Sequence, residues 1–377
     1  MPEAQPPEST RPTTPATPPA ERFALTGVRV FDGEKLLPPA TVVVDGPVIG
    51  EPGDTRGARE IDGNGGVLLP GLIDAHVHLE DENTLRAFAA YGITTALDMG
   101  TWPASRVDAL RGRPGLTDIR SSTYAATSPA SGHAAHMGLP EGSLVATAAA
   151  AERFVTERLA EGADHIKLII DSPGFGQETV DALVAAAHRH GLRTIAHAPA
   201  LEATRTAQRA GVDVLTHAPL DRPMEDADVE RAAREGRVIV PTLTMMEGIA
   251  AALARPGAPG PSYEAARASV AALHRAGVPV LAGTDANHTA AAPSSPPYGE
   301  SVHHELELLT AAGLSPVEAL RAATVLPALH FGLDDRGVIA PGKRADLVLL
   351  SGDPLTDIRA SRTVVRVWCA GIEYTRA

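Results

Sequence analysis

The sequence predicts an α/β protein: a (β/α)8 TIM barrel with a small β-sandwich accessory domain formed by both chain ends. Three observations predict it. Eight short runs rich in Val, Ile, Leu and Ala recur between residues 72 and 286. Amphipathic Ala/Arg/Glu segments separate them, and several of these end in glycine, as helix C-termini prefer. Short alternating runs, punctuated by Gly, Pro and Asp, stand at the two extremes of the chain.

The elements follow in order. Residues 1–21 are rich in Pro, Thr and Glu, have no periodicity and cannot bury apolar surface, so a disordered tail is expected. Residues 22–70 contain FALTGVRVF, TVVVDG and VLLPG, which read as short strands. Residues 337–377 repeat the style in GVIAPGKRADLVLLSGDP and RTVVRVWCAGIEYT. Chain termini are often close in space, so the two ends are expected to share one sheet domain. Residues 71–336 carry the strands 72–79, 93–99, 119–127, 165–170, 193–198, 214–219, 238–243 and 280–286. Continuously apolar strands alternating with helices imply a parallel sheet buried on both faces, and eight such units imply closure into a barrel.

Composition bounds the function. The 377 residues are 44% hydrophobic but only 3% aromatic, so a large core must be mostly aliphatic. A formal net charge of -13 argues against nucleic acid or an anionic membrane as partner, because both would be repelled. The single cysteine, Cys369, permits neither an intrachain disulfide nor a cysteine zinc site. No run approaches the ~20 apolar residues of a membrane span. The first residues have neither a basic nor an apolar region of a secretory signal, so a cytoplasmic location is expected. The Ala-rich helices show no clear apolar stripe, and homo-oligomerisation stays open.

Barrel enzymes place their chemistry at the C-terminal ends of the strands. There the first strand carries His76 and His78, whose i, i+2 spacing puts both imidazoles on one face. The fourth carries Lys167, the fifth His197, the sixth His217, and the eighth ends in Gly283-Thr284-Asp285. One buried histidine is usually a satisfied core residue. Four histidines, a lysine and an aspartate converging on one rim would be costly to bury without a metal or close charge pairing. Neutral imidazole and carboxylate suit Zn²⁺ or a similar divalent ion.

PGLIDAHVHL, followed by IKL, AHA, THA and GTDA on later strands, resembles the amidohydrolase superfamily. So do HHELELLTAAGLSPVEALRAATVLPA and GVIAPGKRADLVLLSGDPLTDI, and the resemblance runs from about residue 24 to 374. Within it the chain looks most like the imidazolonepropionase-like and Xaa-Pro dipeptidase-like branch. The resemblance implies two divalent ions, expected to be Zn²⁺, bridged by a carbamylated Lys167 (N6-carboxylation). His76, His78 and Asp285 would hold one ion and His197 and His217 the other. A lysine cation paired with Asp285 in a one-metal enzyme is the alternative. Such metals acidify water, and Asp285 would take its proton and pass it to the leaving amine. In dipeptidase-like relatives a Gly-His in the loop after strand 3 contacts the substrate carbonyl, a role that falls to His133, with His136 as the spare.

The substrate is a small molecule of less definite kind. Arg222, after His217, is nominated to bind a free carboxylate. Trp102, Met245 and Met246 would give the pocket an apolar side. The long Pro/Ala/Ser-rich loop after strand 8 would act as a lid with Tyr298 reaching in. His288 could touch substrate. His303, His304 and Glu305 lack the spacing of a helical zinc motif and read as the start of a helix; His188 and His190 read as helix-end residues. The leading reading is hydrolysis of an amide or peptide bond, in a dipeptide or N-acyl amino acid. Alternatives are a mononuclear deaminase, a cyclic-amide ring-opening enzyme, a biosynthetic condensation or cyclisation enzyme on the same metal site, and an inactive scaffold.

Overall fold

The structure is a computed structural model that describes residues 21–255 and 260–375. The expected disordered tail lies outside the described residues, except for Glu21.

Parallel strands dominate the middle of the chain. Leu72–Val77, Ile93–Asp98 and Asp118–Ser121 pair in parallel as one arc. Ala126–Thr127, Ile166–Ile169, Thr194–His197, Val214–Thr216 and Val238–Val240 form a second arc, again all parallel. These strands are buried almost throughout, because helices such as Gln177–Arg189 and Leu201–Ala210 alternate with them along the chain.

Three expected strands differ from their observed forms. The run 119–127 breaks in two at Thr123, whose left-handed φ of +59° interrupts the ladder as the chain passes from one arc to the other. The run 238–243 stops at Val240, because Pro241 has no N–H to give the ladder and Thr242 turns left-handed at φ +49°. A helix, Leu243–Leu253, starts at once. The run 280–286 touches both arcs by single bridges, Val280 to Ile239 and Ala286 to Val77. Leu281 N–H donates to Ile239 O at 2.8 Å and Ala75 N–H to Ala282 O at 2.9 Å. Its irregularity has a local cause. Thr284 spends its N–H and hydroxyl on the buried Asp74 carboxylate, at 3.0 and 2.7 Å.

The two chain ends meet in one connected eight-stranded sheet. Val67–Pro70 from the front pairs antiparallel with Leu347–Leu350 from the back. Arg22–Val30 changes partners at Gly27, where φ is +65°. Residues before it pair with 59–62 and residues after it with 67–68. Phe23 stacks on Trp368 at 5.6 Å between ring centroids, which fills the core of this sheet from both ends of the chain.

Candidate metal centre

His76 lies near the end of Leu72–Val77 and His78 just past it. Lys167 is in Ile166–Ile169, His197 ends Thr194–His197, and His217 follows Val214–Thr216. Parallel pairing brings these ends to one side, and all six predicted side chains line a single cavity of about 830 Å³. Asp285 reaches it in a left-handed conformation, φ +57°, which costs a non-glycine residue about 1 kcal/mol or more. Two bonds hold it there: Asp285 N–H to His76 O at 2.8 Å, and Asn287 Nδ2–H to Asp285 O at 2.8 Å. Gly283 lets this segment approach. A Cβ there would lie 2.4 Å from a Val240 methyl and 3.0 Å from His76 Cβ.

Asp285 Oδ1 is 3.1 Å from His78 Nε2 and 3.4 Å from His76 Nε2, and its Oδ2 is 3.8 Å from His217 Nδ1. His197 Nδ1 and His217 Nε2 face each other at 2.8 Å. The outward nitrogens are assigned by their partners. His78 Nδ1–H donates to Gly100 O at 3.3 Å, and His217 Nδ1–H can donate to Thr242 Oγ1 at 2.6 Å. In His217 this leaves Nε2 with its lone pair toward His197 Nδ1, whereas His78 Nε2 faces the Asp285 carboxylate.

Burial drives the charge state. It holds His76 and His197 well below the ordinary imidazole value and His217 down to about 3, so these rings are neutral. Burial is the largest influence on His78 and Asp285 too and opposes their charge, but their mutual hydrogen bond and the opposite charges nearby together outweigh it, raising His78 and lowering Asp285. Burial brings the Lys167 ammonium down to about 7, with Asp285 and Asp98 opposing. Its Nζ donates to Thr216 Oγ1 at 2.9 Å, and no ion pair joins it to Asp285 among the described residues.

The donor set fits divalent ions. His76, His217 and Asp285 offer ligand atoms within 4.8 Å of one another, and so do His133, Asp171 and His197. His76 Nδ1 and His197 Nε2 are buried ring nitrogens without a hydrogen-bond partner among the described residues.

A model of the amidohydrolase family matches residues 67–372. The chain belongs to the amidohydrolase family. It is therefore a hydrolase acting on C–N bonds of small molecules, on a TIM-barrel-like α/β fold. An imidazolonepropionase of Deinococcus deserti is 32% identical over 219 residues, covering 55% of this chain and 49% of that one. A prolidase-like structure from Bifidobacterium longum superposes with TM-score 0.80 at 27% identity, over 95% of this amidohydrolase and 96% of that chain. A Xaa-Pro dipeptidase structure with methionine in its active site gives TM-score 0.81 at 21% identity, over 94% and 100% of the two chains, and shows likeness of fold alone. These likenesses support the imidazolonepropionase and dipeptidase-like branch.

Other nominated residues divide. His133, Trp102, Met245, His136, His288 and Tyr298 all line the cavity. Tyr298 is largely buried, edge-on to Phe88 at 5.5 Å and 4.5 Å from the His288 ring. Met246 is buried and is not part of the cavity wall. Arg222 is not brought to the cavity. It lies half exposed with its guanidinium 3.2 Å from Glu202, because the loop after His217 turns outward toward the helix Leu201–Ala210. His188 and His190 pair with Asp213 and Glu152 on the surface. His303 and Glu305 are buried in the helix Ser301–Ala311.

Asp171, Thr242 and Arg106 were not nominated. Asp171 stands just beyond Ile166–Ile169, so a census carried a few residues past each strand would have found it. Thr242 had a signal in the preceding proline. Arg106, on Ala104–Leu110, lines the cavity and has no ion pair among the described residues; only tertiary structure identifies it.

Proposed function

We propose that this amidohydrolase is a metal-dependent enzyme hydrolysing an amide or peptide bond in a small, partly apolar, carboxylate-bearing substrate such as a dipeptide or N-acyl amino acid. The observation that carries this reading is the convergence of His76, His78, His197, His217 and Asp285 around a buried lysine whose pKa is brought down to about 7, so that a large share of the amine is neutral at physiological pH. Only a neutral amine attacks CO2, and the resulting anionic carbamate would be favoured beside two cations, where an ammonium would be repelled.

His76, His78 and Asp285 would hold one ion and His197 and His217 the other, with Lys167 carbamate shared. Bound divalent ions polarise a carbonyl and acidify water. Asp285, kept ionised by His78, takes a proton at its carboxylate and returns it to the leaving nitrogen. His133 faces the substrate carbonyl oxygen. Trp102, Met99, Met137, Met245 and Ile249 line the walls, exclude water and suit an apolar side chain. Arg106 replaces Arg222 as the carboxylate partner, since it is the cavity-lining arginine left unpaired among the described residues. The parallel strands and the segment 280–286 would close as a (β/α)8 barrel over 71–336. Residues 22–70 and 337–377 would form its β-sandwich accessory domain.

The test is metal content and intact mass of the purified protein, with bicarbonate present, for wild type and Lys167→Ala. The expected outcome is about two divalent ions per chain, a mass increment of one CO2, and loss of both in the variant. One ion per chain, indifferent to Lys167, would overturn the bridging carbamate. Turnover of dipeptides and N-acyl amino acids, absent in Asp285→Asn, checks the reaction itself.

A further inference from the structure

We infer that Asp171 is a positioning residue that anchors His133 by its Nδ1, leaving Nε2 as the only ring nitrogen free to meet the substrate. The role in turnover rests on the hydrolase reading above; the orientation of the ring does not.

One carboxylate oxygen makes both contacts. Asp171 Oδ2 accepts from His133 Nδ1–H at 2.8 Å and from the His133 backbone N–H at 3.3 Å. The segment being held is weak by itself. His133 sits on Gly132–His136, a five-residue helix, and helices that short do not stand alone. Its other anchor is Ser131, whose Oγ accepts from Ala134 N–H at 3.0 Å and lies 2.8 Å from Thr127 Oγ1. Asp171 and Thr127 both follow from the parallel pair in which Leu168 and Ile169 lie against Ala126 and Thr127. The helix that carries His133 is thus fastened at two points to one pair of neighbouring strands.

The consequence is chemical. A ring whose Nδ1–H is donated to a carboxylate cannot turn about its bond to Cβ without losing that bond. Its far edge stays at the cavity, edge-on to His197 with centroids 4.5 Å apart. The Asp171 side chain is 14% exposed and that of His133 28%, so the bond is partly shielded from water. A charge-assisted bond of this kind stiffens the donor ring as well as orienting it. His133 and Asp171 also lie with His197 in a group that could hold an ion. Nothing in the positioning role needs one, and the test separates the two.

The experiment uses the full chain as Asp171→Ala, Asp171→Asn and His133→Gln, with melting temperature as a check on folding. In metal-free protein, ¹⁵N signals of the imidazoles should report an Nδ1–H tautomer for His133, identified by its loss in His133→Gln. That signature should disappear in Asp171→Ala and survive in Asp171→Asn, whose side-chain oxygen still accepts. In metal-loaded protein, metal content should be unchanged in all three. With the dipeptide or N-acyl amino acid turned over fastest by wild type, kcat should fall on the order of 100-fold in Asp171→Ala, with KM moving much less. Asp171→Asn should recover part of the loss, and adding Asp171→Ala to His133→Gln should cost little more. An Nε2–H tautomer in wild type, loss of metal in Asp171→Ala, or an unchanged kcat overturns the inference. If wild type turns over none of these substrates, the hydrolase reading fails while the tautomer result still decides the orientation.

Discussion

Arg106 and Arg222 differ in what surrounds them. Arg222 has Glu202 at 3.2 Å and lies outside the cavity, so a substrate would have to displace an existing pair to use it. Arg106 lines the cavity without such a partner among the described residues. Arg106→Ala should raise KM for a carboxylate-bearing substrate ~10-fold or more, the effect of losing one charge-assisted hydrogen bond. Arg222→Ala should leave KM alone. Steady-state kinetics on one dipeptide and its C-terminal amide would check this, because the amide should lose the Arg106 effect. Both arginines look alike in a sequence: each follows a strand by a few residues. The four histidines and Lys167 were more legible because each sits in or directly after a strand, where direction is set by the two-residue period. A residue on a loop or helix beyond the rim has no such constraint.

The helix Leu243–Leu253 is built around a conflict at the residue that precedes it. Thr242 would ordinarily cap it, but its hydroxyl faces His217 Nδ1 at 2.6 Å and makes no cap. Glu305, from the helix Ser301–Ala311, supplies the cap across space. Its carboxylate accepts from Leu243 N–H at 2.9 Å, Thr244 N–H at 2.7 Å and Thr244 Oγ1–H at 2.9 Å. An acidic group at a helix N-terminus is also favoured by the helix dipole. Glu305→Ala should therefore cost about 1–3 kcal/mol in urea unfolding, since one buried and one part-buried N–H group lose their acceptor. Thr242→Ala tests the other half of the division. Freeing His217 Nδ1 should weaken metal binding ~10–100-fold, measured by competition with a chelator, with a smaller loss of stability. HHELEL predicts that this segment starts a helix, and it does; that its glutamate closes a different helix 62 residues upstream has no local signature.

Stability of the whole molecule should depend on pH through histidines that lie outside the metal cluster. His303 is 1% exposed, with Nε2–H donated to Tyr91 O at 3.1 Å and Nδ1 accepting from Ser361 at 3.0 Å, and so ties the helix Ser301–Ala311 to the C-terminal segment. His165, equally buried, donates to Asp98 O at 3.0 Å. Burial pushes both imidazoles down to about 4. The unfolded chain binds a proton near the ordinary value of 6.5, so between that pH and about 4 it holds more protons than the fold. The contribution is fully present above pH ~6.5 and is lost as pH falls toward 4, up to roughly 3 kcal/mol for each group. Urea unfolding of metal-free protein at pH 7 and 4.5 should show the drop, and His303→Asn should make it shallower. An unchanged slope in His303→Asn would sink the assignment.

The barrel-type order of strands, the meeting of the two chain ends and the line of candidate ligands were all open to a reader of the sequence. The reason is that each depends on local regularities: apolar runs of strand length, helical periodicity between them, and side-chain alternation along a strand. Parallel strands then oblige every strand end to face the same way, so His76, His78, Lys167, His197, His217 and Asp285 share one cavity. Tertiary structure alone decided the rest: the break at Thr123, the irregular eighth segment held by Asp74, the withdrawal of Arg222, and the partners of His133, His217 and Leu243. Those depend on single side chains reaching across gaps between elements distant in sequence, where one hydrogen bond outweighs any local preference.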